Sequence, residues 1–429
     1  MYSELLRVPV TWHGVPVFGV GIALAVWLAV AALAMASTAR QADWGVAARV
    51  HLPTVLLVAA LLVVGVPRFL PAGVPIRSYG VLMLLGIIGG VGLTIHRAVQ
   101  AGLAADDILS LALWVVPGGA IGGRLFYVIQ YWGERIREPD FWGTLRNVLA
   151  FTEGGLVVYG AFLGAMAGFA LYVRRNKLPP LAMADLVAPG MMVGLSLGRI
   201  GCLLNGCCYG GESDIPWAVT FPRENQPRSM SAPYAEQASL GRFYGLRIGA
   251  SAADPARVVI AAVDPASAAE RAGLRAGDEV TAINGAPLRD EAAAHRALLS
   301  AVVEGRSVTL STGAGERRLP ALTPPQRSLP VHPTQIYSAI DAGLLAWVLW
   351  SFYPYRRHDG EVMALMLLVH PVSRFMLEAI RVDESAVWGT GLSISQNLSI
   401  GLFAVGLALW AAAQRRPELA FPRPLAAAG

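Results

Sequence analysis

The chain has 429 residues, of which 55% are hydrophobic and 15% are charged. This composition excludes an ordinary soluble enzyme and indicates a polytopic membrane protein. The net charge of +5 does not indicate a nucleic-acid partner, because the basic residues form short clusters beside apolar runs. The three cysteines are too few for a disulfide framework.

Apolar stretches along the chain predict about nine membrane-spanning helices. They cover residues 17–36, 53–70, 79–97, 107–130, 155–173, 184–205, 335–353, 361–379 and 393–413. Basic clusters follow alternate stretches, at Arg40 and Arg49, His96-Arg97, Arg174-Arg175 with Lys177, Arg356-Arg357 and Arg415-Arg416. The positive-inside rule then places the N-terminus outside and the C-terminus in the cytoplasm. The first stretch ends like a cleaved signal peptide, but its length and the preceding Glu4 and Arg7 favour a retained helix.

The most informative stretch is 194–210, where an apolar run leads through Arg199 into Asn205 and closely spaced glycines. A charge at membrane depth usually faces a cavity or an anionic partner. A guanidinium can hold a phosphate with paired hydrogen bonds. The stretch therefore predicts a site for a phosphate-bearing lipid near the outer leaflet. The alternative is that Arg199 anchors a helix end by snorkelling.

Residues 240–325 interrupt the membrane pattern and predict an α+β domain. Strands are predicted at 258–263, 279–283 and 307–311, a short helix within 264–278, and an amphipathic helix at 291–303. The segment PASAAERAGLRAGDEVTAING resembles bacterial PDZ domains, which bind an extended peptide at a sheet edge. Residues 244–248 lie where that family has its carboxylate-binding loop. A groove that has decayed into a spacer is the alternative. The proline-rich flank at 320–330 is typical of a linker.

Polar side chains recur in or beside the apolar stretches. Each alone is more often a packing hydrogen bond, but together they exceed what a purely structural bundle needs. The spacing of Arg374, Glu378 and Arg381 predicts one shared helical face, which with Arg199 would form a cationic pocket for a lipid phosphate. The other polar residues are Tyr79, Arg124, Glu153, Tyr159, Asp185, Asn205, His332, Gln396 and Asn397.

Seven sequence blocks, taken in order, resemble the prolipoprotein diacylglyceryl transferase family. They are RSYG at 77–80, GGRLFYV at 122–128, GGLVVYGAFLG at 154–164, DLVAP at 185–189, GRIGCLLNG at 198–206, HPTQIY at 332–337 and RFMLEAIR at 374–381. They cover roughly 75–205 and 330–413, and the PDZ-like insert falls where the family has its periplasmic head.

The resemblance implies transfer of a diacylglyceryl group from phosphatidylglycerol to the lipobox cysteine thiol of a preprolipoprotein signal peptide, with release of glycerol phosphate. Arg199 would bind the head group, and Arg374 would act on the phosphate. The implied catalytic residues are Tyr159, Arg374 and Glu378. The implied substrate-binding residues are Arg199, Tyr79, Asp185, Asn205, Arg381 and His332. We expect no cofactor and no metal, and the implied partners are phosphatidylglycerol, signal peptides and an extended peptide on the insert.

The chain departs from the family at three positions. Tyr159 stands where the family often has a histidine proposed as the base, and a phenol with a pKa of about 10 is a weaker base. Tyr159 can still hydrogen-bond the thiol or the head group. Cys202 and Cys207 replace a common Asn and a common Glu. These cysteines and Cys208 either fill close-packed positions or bind a metal or respond to redox conditions.

Two other classes of function compete. Residues 194–198 match Gly-x-Ser-x-Gly, so an intramembrane protease could use Ser196 with His332 or His370. Small residues at this spacing are, however, normal in packed membrane helices. The second alternative is a non-catalytic relative that keeps the lipid pocket and holds clients with its PDZ-like insert.

The sequence thus predicts an all-α polytopic protein of the bacterial inner membrane with an inserted periplasmic α+β PDZ-like domain. The predicted regions are extra N-terminal helices at 1–72, a first membrane part at 73–235, the insert at 240–325, a second membrane part at 330–415 and a cytoplasmic tail at 416–429.

Overall fold

A computed structural model describes residues 4–150, 155–224, 230–251, 254, 257–381, 387, 389–415 and 419–421, without the side chain of Gln41. Glu153 and Arg416, which belong to the predictions above, lie outside these residues. The chain divides into two compact units. The first comprises Met1–Val81, Leu204–Cys207 and Thr220–Leu329, and the second comprises Leu82–Leu203, Cys208–Val219 and Pro330–Gly429.

Helices dominate the described residues. They are α1 (Ile22–Gln41), α2 (Trp44–Ala60), α3 (Val66–Phe69), α4 (Ser78–Gln100), α5 (Ala105–Gln130), α6 (Phe141–Leu149), α7 (Val158–Arg175), α8 (Pro180–Asn205), α9 (Ala232–Leu240), α10 (Ala268–Arg271), α11 (Glu291–Glu304), α12 (Thr334–Phe352), α13 (Glu361–Glu378) and α14 (Ile394–Ala413). The strands are β1 (Glu4–Val8), β2 (Thr11–Trp12), β3 (Val15–Pro16), β4 (Val74–Arg77), β5 (Leu246–Ala250), β6 (Val258–Val263), β7 (Glu279–Ile283), β8 (Ala286–Pro287), β9 (Val308–Thr312) and β10 (Gly315–Leu319).

Seven helical segments are long and apolar enough to cross a membrane, counted among the described residues. They are Ile22–Arg40, Trp44–Phe69, Ser78–Gln100, Ala105–Gln130, Pro180–Asn205, Thr334–Tyr355 and Ile394–Ala413. The two other predicted spans form α7 and α13, but α7 ends in two arginines and α13 carries three charged side chains. A polytopic membrane protein is therefore confirmed, whereas the number nine stays a prediction.

The first unit begins with packed membrane helices and small sheets. Helix α1 packs against α2, and a π-helical turn at Leu61–Gly65 joins α2 to α3. The Asp43 carboxylate caps α2 by accepting the Val46 N–H at 3.1 Å. Strand β1 pairs with β4, and β2 pairs with β3, both antiparallel. The second membrane-spanning segment begins at Trp44, earlier than the predicted start at residue 53.

The α+β domain of the first unit has its own apolar core. Its antiparallel sheet has the order β10–β9–β7–β6–β5, and β8 pairs with β7. The core contains side chains of the sheet, such as Ile260, and of the helices, such as Leu298. The predicted strands, short helix and amphipathic helix are confirmed. The identity of this domain as PDZ-like stays a prediction.

The two chain segments that flank this domain, residues 221–223 and 326–329, are hydrogen-bonded to each other, and we call them the paired neck. The Arg223 N–H donates to the Gln326 carbonyl at 2.9 Å, and the Ser328 N–H donates to the Phe221 carbonyl at 2.8 Å. The Gln237 carboxamide of α9 accepts the Leu329 N–H at 2.7 Å. The predicted linker is therefore wrong over residues 326–329, because their backbone groups are held by hydrogen bonds. Helix α9, which precedes residue 240, also contributes to the domain core.

Glycines set the helix spacing in the second unit. A Cβ atom on Gly164 of α7 would overlap the carbonyl oxygen of Gly118 on α5, so the two backbones are in contact. A Cβ atom on Gly90 of α4 would lie 2.6 Å from the carbonyl oxygen of Gly190 on α8. Such close approach is typical of membrane helices, whose association depends on van der Waals packing. These contacts position α8, which carries Arg199.

Candidate active site

The end of α13 brings three predicted site residues together. Arg374 Nη1 forms an ion pair with Glu378 Oε2, and Arg381 Nε lies 3.7 Å from the same oxygen. The helical position predicted for Arg381 is wrong, because α13 ends at Glu378. A turn instead directs the Arg381 N–H to the Glu378 carbonyl at 3.1 Å. The predicted proximity of the three side chains is confirmed.

Helix α14 orients the Arg374 guanidinium. Arg374 Nη2 donates to Ser395 Oγ at 2.9 Å. A capping box begins this helix: Ser393 Oγ accepts the Gln396 N–H at 3.2 Å, and Gln396 Oε1 accepts the Ser393 N–H at 3.0 Å. The cap fixes the first turn of α14 and with it the Ser395 hydroxyl. Gln396, one of the predicted polar residues, thus has a structural role.

Arg199 approaches the same region from α8. One turn earlier on that helix, Ser196 Oγ donates to the Ala339 carbonyl of α12 at 2.8 Å, so this part of α8 packs against α12. The charge of Arg199 acts electrostatically on both Arg374 and His370. Cations therefore outnumber the carboxylate that pairs with Arg374 and Arg381. An excess of guanidinium groups favours an anionic ligand.

A loop next to the cluster is held by backbone hydrogen bonds. The Gly210 N–H donates to the His332 carbonyl at 2.9 Å, and the Gly211 N–H donates to the Ile380 carbonyl at 3.0 Å. A Cβ atom on Gly210 would lie 2.7 Å from His332 Cβ, so only glycine fits here without movement. These bonds place His332 beside the residue that precedes Arg381. The His332 ring lies 3.4 Å from the Tyr337 hydroxyl.

Several functional candidates lie on α12 and α13 and were not predicted as site residues. Ser373 Oγ lies 2.8 Å from Asp341 Oδ2 and 2.9 Å from the His370 carbonyl oxygen. The sequence suggests His370 only as a protease residue. The helical spacing of His370, Arg374 and Glu378 could have identified the histidine, and a carboxylate within the apolar run of α12 could have identified Asp341.

Asp185 does not join this site. It precedes Arg199 by about four turns of α8, roughly 21 Å. It is fully buried and accepts the Gly360 N–H at 2.7 Å and the Met363 N–H at 2.9 Å. Its carboxylate also lies 3.9 Å from Arg356 Nε. The structure thus shows Asp185 capping the start of α13, and its predicted substrate-binding role stays a prediction.

Three further predicted residues lie elsewhere in the described structure. Tyr159 is half-buried in the first turn of α7, and no described contact joins it to the arginines. Tyr79 and Asn205 belong to the first unit. Tyr79 is the second residue of α4 and is exposed. Asn205 ends α8, with Nδ2 3.5 Å from Cys207 Sγ. The roles of these three residues stay predictions.

Two polar residues have packing roles. The Arg124 guanidinium donates to the carbonyls of Val148 at 3.0 Å and Gly155 at 3.2 Å and also to that of Asn147, so it ties the last turn of α6 and the segment before α7 to α5. Ser196 donates its proton to a backbone carbonyl of α12. Neither His332 nor His370 is hydrogen-bonded to Ser196 within the described ranges. This arrangement does not support a serine protease.

The cysteines lie at the end of α8 and in the following loop. All three are half-buried free thiols. Within the second unit, the Sγ atoms of Cys202 and Cys208 lie within 4.8 Å of each other. Two thiols at this distance suit either close packing or a shared soft metal ion. Both interpretations stay open.

Comparisons with known proteins match most of the chain. The family model described as prolipoprotein diacylglyceryl transferase matches residues 67–412. A phosphatidylglycerol–prolipoprotein diacylglyceryl transferase of Rhodopirellula baltica is 34% identical over 446 residues, which covers 95% of this chain and 88% of that protein. The N-terminal helices before residue 67 lie outside the family model but largely within this full-length similarity.

Shorter relatives match a part of the chain. A protein of Clostridium perfringens with the same name, numbered 2, is 37% identical over 155 residues, covering 36% of this chain and 57% of that protein. One of Gloeobacter violaceus is 36% identical over 160 residues, covering 37% of this chain and 58% of that protein.

Proposed function

As the chain belongs to the prolipoprotein diacylglyceryl transferase family, we propose that Arg199 and Arg374 bind the phosphate of its lipid substrate. The chain is a transferase that moves a diacylglyceryl group from phosphatidylglycerol to the lipobox cysteine of a preprolipoprotein. The observation that carries the assignment of the site is the gathering of Arg199, Arg374 and Arg381 in one region, where Glu378 pairs with the last two.

The reaction requires stabilisation of a charged leaving group, and the arginines of this region support that role. The substrate sulfur attacks the glyceryl carbon that carries the phosphate ester, and the carbon–oxygen bond breaks. Negative charge then accumulates on the departing glycerol phosphate. Arg374, whose orientation is fixed by Glu378 and Ser395, stabilises that charge together with Arg199. Arg381 adds positive charge at the end of the cluster, and His332 lies in the adjoining loop.

A mass-spectrometric assay tests this assignment. The purified protein is mixed with phosphatidylglycerol and a peptide that contains a lipobox cysteine, and the diacylglyceryl mass shift is measured. We expect Arg199→Ala to abolish the shift and Arg199→Lys to restore little of it, since an ammonium cannot form the paired hydrogen bonds of a guanidinium. Arg174→Ala, which removes an arginine at the end of α7, is the matched control. Normal transfer by Arg199→Ala would reassign Arg199 to anchoring the helix.

The same assay distinguishes the transferase from the alternative, a non-catalytic relative that only binds the lipid. That alternative rests on the departures at Tyr159 and Cys207. It predicts bound phosphatidylglycerol and no mass shift on the peptide with the unmodified protein. A shift with the unmodified protein would exclude it.

We further propose nine spans, with α7 and α13 in the membrane beside the seven more apolar segments. The basic clusters at alternate helix ends support an orientation with the N-terminus and the α+β domain in the periplasm. The membrane would then be the bacterial inner membrane. Cysteine labelling tests this: a cysteine introduced at Ser300 should react with an impermeant reagent in intact spheroplasts, and one at Arg175 should react only after lysis.

The α+β domain is proposed to bind an extended peptide of a secreted client. The PDZ-like segment and the edge position of β5 support this, since an edge strand can accept a further strand. The paired neck allows a clean deletion: residues 224–325 are replaced by a short turn between Arg223 and Gln326. We expect normal transfer to a short peptide and several-fold slower transfer to a full-length preprolipoprotein. Equal loss on both substrates would argue against recruitment.

A further inference from the structure

His370 is a half-buried histidine of α13 to which the proposed function assigns no role. It lies one helical turn before Arg374 on α13. Its Nδ1 atom is buried and makes no hydrogen bond within the part of the chain that the structure describes. A buried polar atom without a partner costs free energy and is rare in folded proteins. The position of this ring therefore requires an explanation.

Charged side chains of α8, α12 and α13 lie around His370. Asp341 on α12 is linked to α13 through Ser373, whose hydroxyl also lies 2.9 Å from the His370 carbonyl oxygen. Arg199 approaches on α8, and Arg374 follows on α13 itself. The charges of Asp341, Arg199 and Arg374 all act on the imidazole. The ring thus lies among the arginines proposed to hold the phosphate, with one carboxylate close by.

The reaction requires a base at this place. A free thiol has a pKa of about 8.5, so only a few per cent is ionised at neutral pH. An imidazole with an ordinary pKa of about 6.5 is mostly neutral at pH 7 and can accept a proton. No described contact joins Tyr159 to the arginines.

We propose that His370 is the general base that removes the proton from the prolipoprotein thiol. This inference rests on the proposed function of Arg199 and Arg374. The imidazole takes the S–H proton, and the thiolate forms a bond to the glyceryl carbon. The carbon–oxygen bond to the phosphate breaks, and its electron pair leaves with glycerol phosphate. The imidazolium, stabilised by Asp341, then returns the proton to the departing phosphate.

A comparison of thiol and selenol substrates isolates the proton transfer. Two lipobox peptides are used, one with cysteine and one with selenocysteine, whose selenol is already ionised at neutral pH. We expect His370→Gln to slow transfer to the thiol by roughly 10²-fold and to slow transfer to the selenol far less. Imidazole in the buffer should partly restore thiol transfer in His370→Ala. His51→Gln, a histidine of α2 outside the family match, should behave as the unmodified protein.

An equal loss on both peptides, or normal thiol transfer by His370→Gln, would overturn the proposal. A third contrary result would be a Tyr159→Phe variant that loses transfer to the thiol but not to the selenol, while His370→Gln retains transfer to the thiol. The base would then be Tyr159. Phosphatidylglycerol retained on purification, measured by native mass spectrometry, confirms that the lipid site of each variant is intact. Arg199→Ala should lose transfer to both the thiol and the selenol peptide. A failure of the phosphate assignment is therefore distinguishable from a failure of the assignment of the base.

The unmodified protein provides a second readout that needs no variant. Because the base must be neutral, thiol transfer should fall as the pH drops through the titration of His370, while selenol transfer should change much less. A thiol rate that follows only the ionisation of the thiol itself, near pH 8.5, would contradict the proposal.

Discussion

Two groups of arginines and carboxylates in the second unit use the same residue types in different ways. In the group around Asp185, the carboxylate accepts two backbone N–H groups, and the Arg356 guanidinium lies 3.8 Å from the Tyr353 ring centroid. Both Asp185 and Arg356 are fully buried. In the group around Glu378, the Arg374 side chain keeps 17% of its surface exposed, and further arginines approach it.

The difference shows how a structural arginine is told from a functional one. The Asp185 group is closed, because aromatic rings and backbone atoms already surround its charges. Among the described residues, the Glu378 group has more guanidinium groups than Glu378 alone can neutralise. Under the proposed function, charge at membrane depth has a structural role where it is matched and a binding role where it is in excess.

The largest expected effect is on stability, from the closed group. Asp185→Ala leaves Arg356 buried without its carboxylate and removes the acceptor of two N–H groups. Breaking one side of a buried ion pair costs about 3–5 kcal/mol. We expect a large drop in the thermal midpoint in detergent, measured by size-exclusion chromatography after heating. The control is Asp106→Ala at the exposed start of α5. An Asp185→Ala protein that is stable but inactive would return Asp185 to the substrate site.

The next effect is on activity, from the Glu378 group. Arg374→Ala removes a cation from the position where charge develops, and loss of one such group lowers turnover by about 10²–10³-fold. Folding should change little, because Glu378 keeps Arg381 as a partner. Turnover in the mass-spectrometric assay and the thermal midpoint are measured on the same sample. If Arg374→Ala unfolded, and the fraction that stayed folded had normal turnover, both groups would be structural.

The sequence could predict which residues are polar within the membrane and which pairs are spaced to meet on one helix. It could therefore predict the proximity of Arg374 and Glu378, and the apolar pattern could predict the helices around them. The predicted helix at 184–205 already separates Asp185 from Arg199 by about four turns. What the sequence could not predict is that the Asp185 end of α8 meets the start of α13, a tertiary fact. The contact of Asp341 with Ser373 likewise joins two helices whose packing no local pattern encodes.

The smallest expected effect sharpens the comparison within the closed group. The Arg97 guanidinium lies 3.8 Å from the Trp350 ring centroid and 4.9 Å from that of Tyr353, and its Nη2 donates to the Trp350 carbonyl at 2.9 Å. Arg97→Lys keeps the charge but loses the planar stack. We expect a loss of about 1 kcal/mol in stability.

Transfer by Arg97→Lys should match that of the unmodified protein, and Arg175→Lys at the exposed end of α7 should change neither quantity. Arg374→Lys, made in parallel, should show the opposite pattern, with stability retained and transfer lost. If instead Arg97→Lys reduced transfer at unchanged stability, the closed group would take part in the reaction. An arginine already surrounded by rings and carbonyls would then not be distinguishable by its contacts from one that binds substrate.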